Sequence, residues 1–451
     1  MKNLKIRISG ILLFVATLWY LPWVFQKLNH DALWLSIPFA VASLLIAIRT
    51  LITAHNHWRY SAPDEQEVPR GEEPYVAVII PTCGEPPPMV YETGKSIMEQ
   101  DYPHDRITLI VSDDGHSAQI KGVVERLQEE FPAAKFVYND PPLKGDPARR
   151  GEAKAGNLNA ALDIIPRVAP QTQFIETRDA DDLVGDHRFL RQAIGQFVVD
   201  PGVGFVQTIK EAVVSPGDPF GNCEPLFYRK AMFAKNSYNA VFPCGSGVVW
   251  RRETLNEIKG FPVWNLVEDL QSGIEALRVG WRGLYLPIVG AVGQTAPEDI
   301  PNSVKQRGTW ALDTMRMTLW GDKRGLNFLQ HMQFSELGFF YMLSFAVLVF
   351  AVVPIFTLML DTYPLVTTHA DYAVHFWPYA AALEFMLVSL ADGLPYESLW
   401  RARQTWLGMA PVYARACILA LIYGRNRKPT YKVTRKEHVY GWYWREILPQ
   451  L

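Results

Sequence analysis

The segment Phe174-Ile-Glu-Thr-Arg-Asp-Ala-Asp-Asp-Leu183 starts apolar and ends with Asp179, Asp181 and Asp182 close together. Its lead-in reads as a short buried strand. The acids then fall at the strand's C-terminal end, the edge where open α/β sheets bind ligands. Alternation along an extended chain would turn Asp179 and Asp181 to the same side. Two carboxylates so placed suit a hard cation, Mg2+ or Mn2+, which takes one or two protein carboxylates and completes its shell with phosphate oxygens. A solvated acidic turn after a strand has the same signature, so the flanking chain must decide between them.

Upstream, Tyr75-Val-Ala-Val-Ile-Ile-Pro81 is short, apolar and β-branched, as a strand buried on both faces requires. Residues 108–112 and 135–138 read as further strands, and residues 92–100, 120–131 and 156–165 as helices. The second strand runs into Asp113-Asp114-Gly115. Strands alternating with helices predict a doubly wound α/β sheet with acidic or turn-forming residues at its strand ends. Downstream, residues 203–208 and 283–287 read as strands. Between them, Pro243-Cys-Gly-Ser-Gly-Val-Val-Trp-Arg251 carries glycines that admit a ligand close to the backbone, though a tight turn needs them equally. The acids of Val267-Glu-Asp269 suit a helix N-terminus by its dipole alone.

Further out, the composition changes. The chain has 451 residues, 49% of them hydrophobic, and a formal net charge of −2. That leaves room for two or three domains and gives no electrostatic reason to expect nucleic acid. Cys83, Cys223, Cys244 and Cys417 are scattered, without a Cys-x-x-Cys pair, as expected of reduced cytosolic thiols. Residues 8–25 and 32–52 are nearly uncharged and long enough to span a bilayer. Residues 337–360 form a third such run, and residues 373–391, which contain Glu384, a weaker fourth. No cleavage pattern follows the first run, and a second span comes at once, so it does not read as a secretory signal.

Lys2, Lys5 and Arg7 precede the first span, and Arg49 and Arg59 lie at or beyond the end of the second. The loop at residues 361–372 has no Lys or Arg, and the first turn only Lys27. The positive-inside rule therefore predicts an integral membrane protein with both termini and the soluble domain in the cytoplasm. The expected organisation is two spans in residues 1–60, a cytoplasmic domain at 70–320, two more spans at 335–392, and a tail at 426–451. Residues 398–425 are interrupted by Arg401, Arg403 and Arg415 and read as an amphipathic helix lying in the interface. A fifth span is the alternative, at the cost of burying that charge.

Several separate signals run in order along this chain. Pro81-Thr82 with Glu85 comes first, then Asp113-Asp114-Gly115, Lys154-Ala-Gly-Asn-Leu-Asn159 and Asp179-Ala-Asp181, then Val267-Glu-Asp269 and Gln306-Arg-Gly-Thr-Trp310. Framed by the spans, the set resembles the processive, membrane-embedded family 2 glycosyltransferases, as represented by bacterial cellulose synthase catalytic subunits. The resemblance runs from about Tyr75 to Lys436. It implies a GT-A domain, a Rossmann-like fold for nucleotide-diphosphosugars, inserted between transmembrane hairpins of the plasma or inner membrane.

By that resemblance Thr82, Glu85 and Asp114 hold a uridine, whose N–H and ribose hydroxyls carboxylates can accept. Lys154 sits beside the nucleotide, and Asp179 and Asp181 bind Mg2+ or Mn2+ on the diphosphate, where the cation acts as a Lewis acid. Asp269 is the implied general base toward the acceptor hydroxyl. Cys244, Gly245 and Ser246 correspond to an acceptor-side Phe-Phe-Cys-Gly-Ser segment, with Phe242 and Pro243 in place of the aromatic pair. Gln306, Arg307 and Trp310 correspond to a Gln-x-x-Arg-Trp signature whose Trp stacks on the acceptor sugar. Thr434 and Lys436 of Tyr431-Lys-Val-Thr-Arg-Lys436 correspond to a gating loop that closes over bound nucleotide.

The departures are specific. Thr309 stands where the family has the Arg that touches the diphosphate, and Val267 replaces the Thr of Thr-Glu-Asp. Family members continue after the gating loop with further spans, whereas this sequence ends at Leu451. Against the resemblance, either this is a truncated form or a partner subunit completes the channel, and regulation by cyclic-di-GMP is not expected within this chain. The implied reaction is inverting transfer from a UDP-sugar, UDP-glucose by preference, to a growing β-1,4-glucan passed through the membrane lipid. Two alternatives stay open: transfer of one sugar to a lipid carrier, and a catalytically silent scaffold subunit.

Overall fold

The computed structural model describes residues 2–427, 429 and 438–448. Strand β1 (Val76–Thr82) is central because both its faces are covered. Val76, Val78 and Ile80 enter one apolar layer, while Ala77 and Ile79 enter the other. A period of two sends successive side chains to opposite faces, so an uninterrupted apolar run needs a layer on each side. Strands β2 (Ile107–Asp113) and β4 (Phe174–Thr177) flank β1 in parallel, and β3 (Lys135–Asn139) extends the sheet beyond β2.

Past β4 the sheet changes character. Strand β7 (Val248–Arg251) runs antiparallel to both β4 and β6 (Val203–Ala212). Strand β8 (Arg282–Gly293) is parallel to β6, and β5 (Asp182–Leu183) is antiparallel to β8. The order β3-β2-β1-β4-β7-β6-β8-β5 is therefore a mixed sheet. The doubly wound expectation describes the β1–β4 half and not the rest. Antiparallel neighbours need no crossover over a sheet face, and β7 starts beside Thr177, at the acid-bearing edge.

Helices α3 (Pro87–Met98), α4 (Ala118–Glu130) and α6 (Phe189–Val199) cover one face through Val90, Ile97, Leu127 and Ile194. The other face is covered by α5 (Ala153–Val168), α7 (Met232–Asn236), α8 (Arg252–Glu257) and α9 (Glu268–Arg278), through Leu158, Phe233, Leu255 and Ile274.

Among the described residues, five helices are long and apolar enough to cross a membrane: α1 (Lys2–Gln26), α2 (Leu33–Asn56), α11 (Phe328–Leu360), α12 (His369–Leu390) and α13 (Tyr396–Tyr423). Helix α1 packs on α12 and α2 on α11. The α11 helix starts well ahead of its uncharged run because Asn327 and Gln330 form a capping box. Its Glu336 lies 3.4 Å from Arg49 of α2 and accepts from Thr53 and Asn56 at 2.8 Å each. Glu384 of α12 meets Arg403 of α13 at 2.5 Å. Each of these acids in an apolar helix has a cationic partner, as its surroundings demand. Helix α10 (Ile300–Trp320) packs between the sheet domain and α13, and α14 (Trp444–Ile447) is a single turn that packs on α10.

Candidate active site

Strand β4 stops at Thr177, so Asp179 and Asp181 are not displayed by alternation along an extended strand, contrary to expectation. Arg178 is the reason. Its fully buried guanidinium donates to Glu176 Oε1 (2.6 Å), Leu183 O (2.9 Å) and Gly290 O (2.9 Å). These bonds fold residues 179–183 back so that β5 can join β8, and the Asp182 N–H closes the turn on the Asp179 carbonyl (3.0 Å).

Asp179 is gripped from both sides. Lys154 Nζ donates to its Oδ1, Lys210 Nζ to its Oδ2 at 3.0 Å, and its own N–H donates to Ser246 Oγ at 3.1 Å. Lys210 also pairs with Asp182 at 2.8 Å. Burial by itself would raise the Asp179 pKa, but the Lys154 and Lys210 ammoniums outweigh it and hold the carboxyl well below the usual range. Burial likewise works against both ammoniums, and the surrounding carboxylates overcome it and raise them. Asp181 occupies the same turn, its carbonyl accepting the Gln294 N–H (2.7 Å). The sequence reading passed over Lys210, which sits on β6 beyond the apolar start of that strand, among Gln207, Thr208 and Glu211.

Facing this turn is Gly245, with φ at +85°. A Cβ placed there would lie 3.3 Å from Asp269 Oδ2, 3.3 Å from Lys154 Nζ and 3.9 Å from Asp179 Oδ2. The missing side chain thus leaves space where three of the expected residues converge. The loop hangs from β6. Gln207 Nε2 donates to Ser246 O (3.0 Å), its Oε1 accepts from the Cys244 N–H (2.7 Å), and Thr208 donates to Gly247 O (2.9 Å). Ser246 is fully buried and acts as a support for Asp179. Burial, with Asp269 nearby, pushes the Cys244 thiol far up, so it stays protonated.

Asp269 lies in the first turn of α9. Burial raises its carboxyl pKa, against the pull of Lys154 and of the Leu270 N–H it accepts at 2.7 Å. Glu268, 3.7 Å from Lys154, is pushed up to about 7 by burial. A raised carboxylate is better matched to taking a proton near neutral pH. Helix α10 fixes the turn ahead of α9. Asp313 accepts the Leu266 N–H (2.9 Å) and an N–H of Arg316 (2.7 Å), and Asn265 donates to the Asp313 carbonyl (2.9 Å).

At the β1–β2 end the residues expected to hold uridine make internal contacts. Thr82 is buried and donates to Asp113 Oδ1 at 2.9 Å. Asp113 also accepts from the Gly115 and Ser117 N–H groups (2.9 and 2.7 Å) and from Tyr138 (3.2 Å), so it organises this strand end. Glu85 accepts the Cys83 N–H (2.5 Å), and Asp114 forms a two-pronged pair with Arg149 at 2.7 and 2.8 Å. The asparagines after Lys154 explain their spacing. Asn157 donates to Thr82 O and Ser112 O, while Asn159 donates to Phe261 O and accepts its N–H. They tie α5 to both the strand ends and the loop leading toward Asp269.

On α10, Trp310 is 40% exposed, and Gln306 is half-buried one turn earlier. The implied substrate role of Arg307 does not match its surroundings. Its guanidinium donates to Glu224, Phe220 O (3.1 Å) and Gly221 O (2.8 Å), clamping the chain after β6 onto α10. Thr309 turns its hydroxyl back to Lys305 O (2.8 Å). Thr434 and Lys436 lie outside the described residues.

The fold and this cleft define a GT-A-like glycosyltransferase domain, an eight-stranded mixed sheet with apolar helices on its N- and C-terminal sides. A glycosyltransferase-like family 2 profile matches residues 74–312, and the chain belongs to that family. It is similar to the UDP-forming cellulose synthase catalytic subunit of Pseudomonas fluorescens (strain SBW25), 29% identical over 324 residues, 67% of this chain and 40% of that one. A second UDP-forming cellulose synthase catalytic subunit, from Xanthomonas axonopodis pv. citri (strain 306), is 29% identical over 283 residues, 59% of this chain and 36% of that one. The chain thus spans less than half the length of these relatives. Among solved structures, the mannosyltransferase PcManGT from Pyrobaculum calidifontis, in complex with GDP-Man and Mn2+, shares the fold. Its TM-score is 0.55 at 22% identity, covering 85% of this chain and 99% of that one.

Among the described residues no group of three or more His, Cys, Asp or Glu side chains is placed to hold a metal ion. An all-protein cage is therefore absent there. The donor set of Asp179 and Asp181 fits the other type of site, in which one or two carboxylates and substrate phosphates share a hard cation.

Proposed function

We propose that this protein is a membrane-bound, processive glycosyltransferase that transfers a hexose, with inversion, from a UDP-sugar to a growing β-linked polysaccharide. UDP-glucose and a β-1,4-glucan are the preferred pair, in keeping with the names of the relatives. The observation that carries the reading is the convergence of Asp269, Lys154 and Asp179 on the space beside Gly245. In the reaction Asp269 takes the proton of the acceptor hydroxyl as that oxygen bonds to the anomeric carbon. The bond from the anomeric carbon to the diphosphate breaks with its electron pair, and Lys154 offsets the charge left on the departing nucleotide. A divalent cation held by Asp179 and Asp181 would supply Lewis-acid stabilisation of the same diphosphate. Trp310 offers an exposed aromatic face for the acceptor sugar.

The arrangement of α13 supports its reading as a helix lying along the cytoplasmic interface. Near one end Arg401 donates to Gly217 O (3.0 Å), and near the other Trp320 donates to Ala420 O (3.1 Å). The helix packs along α10 as well as α11, and these contacts at both ends support a position beside the domain. The placement of Lys and Arg supports a cytoplasmic domain and termini.

The test is sugar incorporation from radiolabelled UDP-glucose by membranes carrying this chain, with product sizing and cellulase digestion. A long, cellulase-sensitive product is expected. Asp269→Asn should lower its formation by about 10²- to 10⁴-fold while UDP still binds. Chelation should stop synthesis, and added Mn2+ or Mg2+ should restore it. Label confined to a short, lipid-extractable product would replace the polymer by a lipid carrier as acceptor. An Asp269→Asn chain that behaves as the wild type would leave a scaffold role.

A further inference from the structure

We infer that Lys210 of β6 is a second ammonium, beside Lys154, that meets the leaving diphosphate, in place of the arginine that the resemblance leads one to expect at position 309. The inference rests on the reading that a nucleoside diphosphate sugar binds at the Asp179 edge. Helix α10 offers little for that task near its signature. Thr309 has no charge and bonds its own helix, and Arg307 is spent on Glu224 and the Phe220 and Gly221 carbonyls.

Lys210 lies within the charge cluster of the turn itself. Its ammonium contacts Asp179 Oδ2 and Asp182 Oδ2, on the opposite side of Asp179 from Lys154. Lys154 is also drawn toward the base side, by Gly245 O (3.1 Å) and Glu268 (3.7 Å). Both partners of Lys210 belong to the turn itself. Its side chain is 24% exposed, whereas that of Asp182 is only 2% exposed. Asp182 thus holds the ammonium from the buried side, and the Lys210 side chain keeps some exposure. An ammonium carries three N–H donors; Asp179 Oδ2 takes one, while Asp182 Oδ2 lies beside it as an ion-pair partner at 2.8 Å.

When Asp179 turns to another positive charge, Lys210 stays tethered by Asp182 with donors directed at the incoming phosphates. It donates hydrogen bonds and gives up no proton; the acceptor's proton goes to Asp269 and the electron pair leaves with the diphosphate. A point-charge ammonium on a short tether suits phosphate oxygens.

Nucleotide binding to the purified full chain, in detergent with Mn2+, tests this without reading activity. UDP is titrated calorimetrically and uridine by ligand-observed NMR. The chains compared are the wild type, Lys210→Met, and Lys210→Met combined with Thr309→Arg. Lys210→Met should weaken UDP about tenfold or more, the worth of a charged hydrogen bond, and leave uridine within about twofold. Adding Thr309→Arg should return part of the UDP affinity.

Equal losses for UDP and uridine would make Lys210 a prop for the turn and overturn the inference, as would an unchanged UDP affinity. Should Lys210→Met fail to fold with Asp182 left uncompensated, Lys210→Met/Asp182→Asn leaves the net charge of the site unchanged and must show the same selective loss of UDP. A wild-type chain that binds no nucleoside diphosphate would instead defeat the functional reading on which the inference stands.

Discussion

Replacing Gly245 by alanine perturbs the reaction space with a single methyl group. Two costs can be separated. The backbone holds φ at +85°, where an L-residue is disfavoured by about 1–2 kcal/mol. The new Cβ would also stand 3.3 Å from both Asp269 Oδ2 and Lys154 Nζ. That spacing is tight, so the base and the lysine must retreat by a few tenths of an ångström. Since a misplacement of about 1 Å at a reacting group costs roughly 10²-fold, a loss of about 10- to 100-fold in turnover is expected. Gly280→Ala supplies the control. Its φ is +100°, and nothing lies within 4 Å of its added Cβ, so it bears a backbone cost without displacing a neighbour. UDP release from the purified enzyme, beside denaturant unfolding of both variants, reads the two terms apart. Equal turnover in Gly245→Ala and Gly280→Ala would refute the argument, because the space beside Gly245 would then not be where reaction occurs.

Arg178→Met removes a guanidinium that is fully buried against an equally buried Glu176. It should cost about 3–5 kcal/mol by leaving that carboxylate uncompensated, measured by denaturant unfolding; adding Glu176→Leu should recover part of the stability. The turn bearing Asp179 would remain unbraced, so transferase activity should stay low in the double variant. Glu268 gives a pH signature. Its folded pKa of about 7 lies above the ordinary 4.5, so the folded chain binds the extra proton between those values. Its contribution to stability is complete below pH 4.5 and fades as pH rises through 7. Glu268→Gln should therefore lose less stability than the wild type over that interval, and parallel stability curves would contradict the assignment.

The β1–β4 half of the sheet was legible because a strand buried on both faces is a largely apolar run, as in β1, β2 and β4, and these alternate with helices. The other half was read less well. Strand β8 is longer than its apolar core at residues 283–287, since it continues through register shifts against β6. Strand β5 has two residues and exists only because Arg178 folds the chain back. Asp179, Lys154, Gly245 and Asp269 were all named from their motifs, and the structure brings them together. Lys210, Arg149 and Arg178 were not, because a cation's significance depends on partners far away in the chain or behind it in the fold. Arg307 illustrates the converse: a motif position whose guanidinium is taken by Glu224, across a contact no spacing discloses.

What the sequence determined by itself is therefore what burial writes locally: the apolar strands and helices, the glycines at tight approaches, and the acids placed at strand ends. Hydrophobic patterning is a short-range property, readable residue by residue. The tertiary structure alone decided which charges face which. Asp179 came to lie between Lys154 and Lys210, Asp114 against Arg149, and Arg307 in a clamp with Glu224. Those pairings are set by how the sheet reverses past β4 and how α10 docks, and charge acts across space irrespective of separation along the chain.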